Sequence, residues 1–236
     1  MISVAALIPA YNEADRITET VIAARALEGV SEVVVIDDGS TDDTAEKASS
    51  AGADRVVRLE KNSGKGAALM AGVKSTEAEI VLMLDADLAS SASAAGALLE
   101  PVLSGQVDMT IAVLPSVKGS GGFGFAVKLS RWGIRKSTGH VMKAPLSGQR
   151  ALKREIIQRM GGFDPGFGVE TGLTIDAFKM GYTVEEVPVE ISHRTTGKSV
   201  KGFIHRGKQF KDIFRALVVR WLGLRKYAPD KNLEQQ

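Results

Sequence analysis

The most constraining feature of the chain is a set of short, largely apolar runs in its first 113 residues. Ser3 to Ile8, Glu32 to Ile36, the Val56, Val57 and Leu59 group, Ile80 to Leu84 and Met109 to Val113 do not alternate with polar residues. Strands of that kind are covered on both faces. Between them lie stretches at helical spacing, as in Ile17, Val21, Ile22 and Leu27, and at about 42–51, 64–75 and 92–104. Strands and helices in alternation predict an α/β fold with a mostly parallel sheet. Ligands of such sheets sit beyond the carboxyl ends of the strands.

The second half is less regular. The pattern predicts an extended segment from Ala144 to Arg150 entering a helix at about 151–160. A helix over Glu170 to Met180 and a strand over Thr183 to Ile191 follow. From Phe203 to Trp221, apolar residues at Phe210, Ile213, Phe214, Leu217, Val218 and Trp221 predict an amphipathic helix with a basic opposite face.

Composition removes several classes. With 236 residues and 44% hydrophobic content the chain can bury a core unaided. It has no cysteine, which excludes disulfides, thiol nucleophiles and thiolate metal sites. A net charge of +2 does not argue for nucleic acid. The distribution is uneven, because Arg194 to Lys226 holds ten Lys or Arg and the single acid Asp212. No run is apolar enough to span a bilayer, and the start of the chain lacks the basic region of a signal peptide. A cytoplasmic location is expected, with peripheral contact at the inner membrane face. The basic helix is read first as a solvated face, then as a surface for anionic lipid headgroups. Contact with a second copy, a homodimer, is the remaining reading.

Acidic clusters follow the predicted strands. They are Pro9-Ala10-Tyr11-Asn12-Glu13, Asp37-Asp38-Gly39-Ser40, Asp85-Ala86-Asp87 and, opening a helix, Gly168-Val169-Glu170-Thr171. Crowded carboxylates repel, and a divalent cation or hydroxyl donors relieve this. Asp85 and Asp87, two apart on an extended segment, point to one side and can share an ion. An all-oxygen donor set suits Mg2+ or Mn2+. The same pair also fits a simple turn, and Asp37 to Thr41 fits a turn with a helix cap. Asn62-Ser63-Gly64-Lys65-Gly66 opens a helix whose N–H groups, with Lys65, can hold an anion. Two literal matches are set aside. Gly197-Lys198-Ser199 lacks the earlier P-loop glycine, since position 192 is Ser192, and the glycine pattern at 119–124 does not directly follow a strand.

In order and spacing, the first motif, Val35-Ile36-Asp37-Asp38-Gly39-Ser40-Thr41-Asp42, Asn62 to Leu69 and Leu84-Asp85-Ala86-Asp87 resemble the family 2 glycosyltransferases of GT-A fold. The resemblance covers about 1–113. It implies a sugar nucleotide held by Pro9, Ala10, Tyr11, Glu13, Asp38, Lys65, Asp85 and Ala86, and a divalent metal on Asp85 and Asp87. Pro145 to Arg150 and Gly166 to Leu173 resemble the acceptor half of glucosyl-3-phosphoglycerate synthases, which implies His193 as third metal ligand. Arg194 to Ser199 resembles a segment of the dolichol- and polyprenyl-phosphate sugar transferases, with Lys and Ser exchanged. Arg194 and Lys198 are then acceptor or phosphate residues, and Glu170 is the candidate base. A single catalytic domain over 1–200 is expected, with a nucleotide-sugar half at 1–113 and an acceptor half at 114–200. A basic helix and tail follow at 201–236. The expected reaction is transfer from a nucleoside diphosphate sugar to a phosphorylated small molecule or lipid phosphate, with inversion. A non-catalytic sugar-nucleotide-binding module and a nucleotidyltransferase of related fold are the alternatives.

Overall fold

The computed structural model describes residues 2–115, 124–191 and 200–229, with backbone alone for 200–208. Seven strands form one sheet. They are β1 (Val4–Ala10), β2 (Glu32–Asp37), β3 (Arg55–Arg58), β4 (Ile80–Met83), β5 (Met109–Val113), β6 (Arg150–Lys153) and β7 (Val184–Pro188). Their spatial order is β3-β2-β1-β4-β6-β5-β7. Only β6 is antiparallel, to β4 and to β5. The apolar runs behave as their composition dictates. Val4, Ala6 and Ile8 of β1 enter one core layer, while Ala5 and Leu7 enter the other.

One layer is formed by α1 (Ile17–Arg25), a three-ten helix (Ala89–Ala95) and α4 (Gly96–Leu103). The opposite layer holds α3 (Lys65–Lys74), α5 (Gly124–Thr138), α6 (Arg154–Met160), α7 (Gly168–Lys179) and α8 (Val200–Trp221). The short α2 (Thr44–Ser50) leads into β3. Small residues set how closely α3 packs. A Cβ at Gly72 would fall 2.7 Å from Ile36 Cδ1, so the bare glycine lets the helix lie on β1 and β2. That contact delivers the N-terminus of α3 to the carboxyl end of β2.

Two sequence expectations need correction. A strand, β6, occupies 150–153, where a helix was expected to begin; Lys153 is still extended and α6 starts at the next residue. Four residues running straight into a helix leave no period of their own. Second, α8 does not bury its aromatic stripe. Ile213, Ala216, Leu217 and Arg220 face the core, while Phe210, Phe214 and Trp221 are exposed. The reason is charge, since Arg220 Nη2 lies 2.6 Å from Asp164 Oδ2 and 2.5 Å from Asp176 Oδ2. The two acids raise the Arg220 pKa against the opposing effect of burial. The C-terminal helix α8 starts at Val200, and Ile213 and Leu217 of its inner face join the core.

Candidate active site

The loops after β1 and β2 are laced together. Asn12 N–H donates to Ser40 Oγ (3.0 Å), Glu13 N–H to Thr44 Oγ1 (2.9 Å) and Thr41 N–H to Asn12 Oδ1 (2.8 Å). Asp38 N–H donates to the Ala10 carbonyl at 2.8 Å. Pro9 and Ala10 end β1, Tyr11 is exposed, and Glu13 is half-buried, with its carbonyl accepting the N–H groups of Arg16 and Ile17.

Asp37 and Asp38 have separate tasks. Asp37 Oδ1 accepts Ser40 N–H at 2.9 Å, closing the turn. Asp38 turns to the start of α3, where its oxygens accept Ser63 N–H (2.7 Å) and Gly64 N–H (2.8 Å). Two N–H groups of that motif thus take the chain's own carboxylate, just ahead of a helix start, where negative charge is favoured. Gly39 makes this approach geometrically feasible. It has φ +75°, and a Cβ there would lie 2.7 Å from the Lys61 carbonyl carbon.

Lys65 links the next two clusters. Its Nζ is 2.7 Å from Asp85 Oδ1 and 3.0 Å from Glu170 Oε1. Burial would lower the ammonium's pKa, but Asp85 and then Glu170 reverse the sign and hold it well above 10.5. The second oxygen of Asp85 accepts Gln149 Nε2–H at 2.7 Å. Gln149 reaches it because β6 is antiparallel. The register that pairs Met83 with Arg150 brings the start of β6 to the carboxyl end of β4. Sequence reasoning missed Gln149, and the signal that would have found it is the direction of that strand.

Beside Asp85 the wall is a bare glycine. A Cβ on Gly148 would sit 2.5 Å from Lys65 Nζ and 2.9 and 3.0 Å from the Asp85 oxygens. Two residues on, Arg150 is fully buried, and its hydrogen bonds among the described residues go to carbonyls and a hydroxyl. Its guanidinium donates to the Ser147 carbonyl (2.8 Å), Thr174 Oγ1 (2.9 Å) and the Pro145 carbonyl (3.4 Å). Burial pulls its pKa down to about 10, against the opposing charges of Glu170 and Glu186. Thr174 in turn donates to the Glu170 carbonyl at 2.8 Å.

Ala86 and Asp87 lie in a turn rather than on an extended segment. Thr20 Oγ1 on α1 pins that turn, donating to the Ala86 carbonyl (2.9 Å) and accepting Ala89 N–H (2.8 Å). Arg16 Nη1 lies 3.5 Å from the Asp87 carbonyl. The same-side argument from strand geometry therefore stops at Asp85. His193, Arg194 and Lys198 lie outside the described residues, among which no group of three or more acids or histidines is arranged to hold a metal.

The family model for glycosyl transferase family 2 matches residues 5–161. The chain belongs to that family. Its sheet order, with one antiparallel strand beside β4, is the architecture of the GT-A glycosyltransferases it resembles in structure. Glycosyltransferase AglJ of Haloferax volcanii is 34% identical over 203 residues, 83% of this chain and 65% of that protein. Glucosyl-3-phosphoglycerate synthase of Mycobacterium tuberculosis is 32% identical over 200 residues, 75% of this chain and 61% of that one. The chain thus spans less than two thirds of the length of these relatives. A crystal structure of the mycobacterial enzyme with Mn2+, uridine-diphosphate-glucose and phosphoglyceric acid matches with TM-score 0.78 and 28% identity. It covers 98% of this chain and 81% of that one.

Proposed function

We propose that this chain transfers a sugar from a nucleoside diphosphate sugar to an acceptor that carries a phosphate, with inversion at the anomeric carbon. The observation that carries the reading is the Lys65 ammonium between Asp85 and Glu170. It joins the acid at the end of β4 to the acid that opens α7, where donor and acceptor would meet.

The donor set fits a hard divalent cation. Its acids offer oxygen only, and the missing Cβ of Gly148 leaves room for the Asp85 carboxylate and the Lys65 ammonium to stand side by side. Asp85 and Asp87, with His193 as the expected third ligand, would hold Mg2+ or Mn2+, which supplies Lewis-acid stabilisation of the charge on a departing diphosphate. Lys65 carries three N–H donors and spends two on Asp85 and Glu170, leaving one for a phosphate oxygen. Pro9, Tyr11 and Glu13 border the nucleotide. Asp38 fixes the loop ahead of Lys65 and so sets where that ammonium stands. Glu170, buried against Lys65, either takes the acceptor proton or, for an acceptor that is already a phosphate, orients a sugar hydroxyl. Arg194 and Lys198 are assigned to the acceptor phosphate. The same proposal includes a peripheral position at a membrane face. Support comes from family membership and from the ligands of the mycobacterial structure.

The test is a thermal-shift panel of UDP, GDP, CDP, ADP and dTDP, each with and without Mn2+. A ligand that binds only the folded state raises its stability. A metal-dependent shift with one nucleotide is expected, followed by product formation from that nucleotide's sugar and a phosphorylated acceptor, its anomeric configuration read by NMR. The Asp87→Ala variant should stay folded and lose turnover. No shift with any nucleotide, or wild-type turnover in Asp87→Ala, overturns the assignment.

A further inference from the structure

The helices α5 and α8 lie side by side and run in the same direction. Gly133 takes the Leu217 side chain against its bare Cα. One turn further along both helices, Trp221 Nε1–H donates to Ser137 Oγ at 3.0 Å. Trp132 and Trp221 meet edge to face, with ring centroids 5.3 Å apart. The shared offset sets Phe210 and Phe214 opposite positions 126 and 130 of α5.

The outward face of this pair is aromatic. Phe125 is 84% exposed and Trp132 53%, and Phe210, Phe214 and Trp221 are each 40% exposed or more. Just past α8, Leu222 and Leu224 are exposed as well. A single exposed apolar residue needs no explanation, but a contiguous patch of large ones marks an interaction surface. Cations flank the rings. Lys128, Arg135 and Lys136 are exposed on α5, and Lys211 and Arg215 on α8. The described residues of α5 contain no acid. Asp212 of α8 is turned inward, its Oδ2 accepting Phe167 N–H at 3.2 Å.

We propose that this face docks on an anionic lipid bilayer. Tryptophan rings settle at the headgroup level of a membrane, where apolar body and polar N–H are both accommodated, and Phe beside them inserts its ring at the acyl boundary. Basic side chains beside them meet the lipid phosphates. No helix among the described residues is long and apolar enough to cross a membrane, so the contact is one of surface insertion. Charge argues against a second copy as the occupant. A two-fold contact sets a patch against itself. Here it would bring the cations of α5 and α8 against their own copies, with no acid among the described residues of α5 and Asp212 turned inward, and interface cores are depleted in Lys. The inference rests on α5 and α8 and not on the transfer reaction.

The chain's two tryptophans, Trp132 and Trp221, both lie in this face, so intrinsic fluorescence reports on it directly. The full chain would be mixed with vesicles of phosphatidylcholine alone and of phosphatidylcholine with phosphatidylglycerol. Cosedimentation with the mixed vesicles only, with a blue shift of tryptophan emission, is expected. Each basic residue near an anionic surface contributes roughly fivefold in partitioning. The combined Lys128→Glu, Lys136→Glu and Lys211→Glu variant should therefore bind on the order of 100-fold more weakly. A Phe125→Ser, Phe214→Ser variant should lose the blue shift. Both variants should keep the nucleotide-dependent thermal shift, which shows that they fold and reads the transferase proposal separately. Absence of cosedimentation, equal binding to neutral vesicles, or a dimer in sedimentation equilibrium that these variants dissociate would each overturn the proposal.

Discussion

The ammonium of Lys65 lies 2.7 Å from Asp85 Oδ1, and this contact ties the start of α3 to the end of β4. The same ammonium reaches Glu170 on α7, so one charge holds three elements at the strand ends. In Lys65→Met, two carboxylates lose their common counter-ion. Breaking a buried pair from one side costs several kcal/mol, and with a quarter of the Lys65 side chain exposed the expected loss is about 3 kcal/mol. The pH dependence has a definite sign. The folded state holds the Lys65 proton more tightly than the ordinary value of 10.5, so the stabilisation is complete below that pH and fades as pH rises through the higher folded value. Urea unfolding should show a wild-type advantage that is flat through neutral pH and shrinks above about 10.5. A gap that stays constant on the alkaline side would contradict the assignment.

Asp38→Asn removes charge and one acceptor together. The amide has one oxygen for the two N–H groups of Ser63 and Gly64, and its NH2 must then face a donor. An unsatisfied buried donor costs about 1–3 kcal/mol. The lost carboxylate at the start of α3 adds about 0.3–1 kcal/mol. The expected result is a lower melting temperature and a weakened nucleotide-dependent shift. Ser63→Ala keeps the backbone donor and should behave as wild type in both measurements.

The parallel strands were legible because burial on both faces removes polar residues, as in Val33 to Ile36 of β2. The acids after β1, β2 and β4 were legible for the same reason, since a charge directly behind such a run must stand at a strand end. β6 was not legible. Its four residues carry no period, and its antiparallel direction, which brings Gln149 to Asp85, is a property of the whole sheet. The sidedness of α8 was misread because the partners of Arg220 lie 56 and 44 residues away at Asp164 and Asp176. No helical wheel contains them. The turn at Ala86 was hidden likewise, since Thr20, which pins it, belongs to another element.

Arg220 offers a direct measure of how firmly α8 is anchored. Its guanidinium serves Asp164, Asp176 and the Ala216 carbonyl in a buried setting. Asp176 also accepts Tyr227 Oη–H at 2.7 Å and lies 3.2 Å from Arg225 Nε, whereas Asp164 relies on Arg220. Arg220→Met should cost about 3–5 kcal/mol by leaving that buried charge uncompensated. Adding Asp164→Asn should recover part of the loss, and a double-mutant cycle in urea would give a coupling well above 0.5 kcal/mol. Additive losses would mean that Arg220 stabilises α8 by packing alone.

Gly148→Ala separates binding from stability at the candidate site. Gly148 does not adopt a left-handed conformation, so alanine fits its backbone without strain. The obstacle is the added Cβ, 2.5 Å from Lys65 Nζ and 2.9 Å from Asp85 Oδ2. The Lys65 terminus is flexible and shifts first while staying near the carboxylates, so the stability loss should lie between about 1 kcal/mol, the ordinary range for a point mutation, and the roughly 3 kcal/mol of Lys65→Met. The binding geometry does not survive that movement, because the ammonium shifts from its place between Asp85 and Glu170. Nucleotide affinity in the presence of Mn2+ should fall by about tenfold or more, equivalent to roughly 1.4 kcal/mol. Gly124→Ala, where nothing lies within 4 Å of the added Cβ, is the control and should bind as wild type. If Gly148→Ala also binds nucleotide as tightly as wild type, the space beside Asp85 is not where the diphosphate sits.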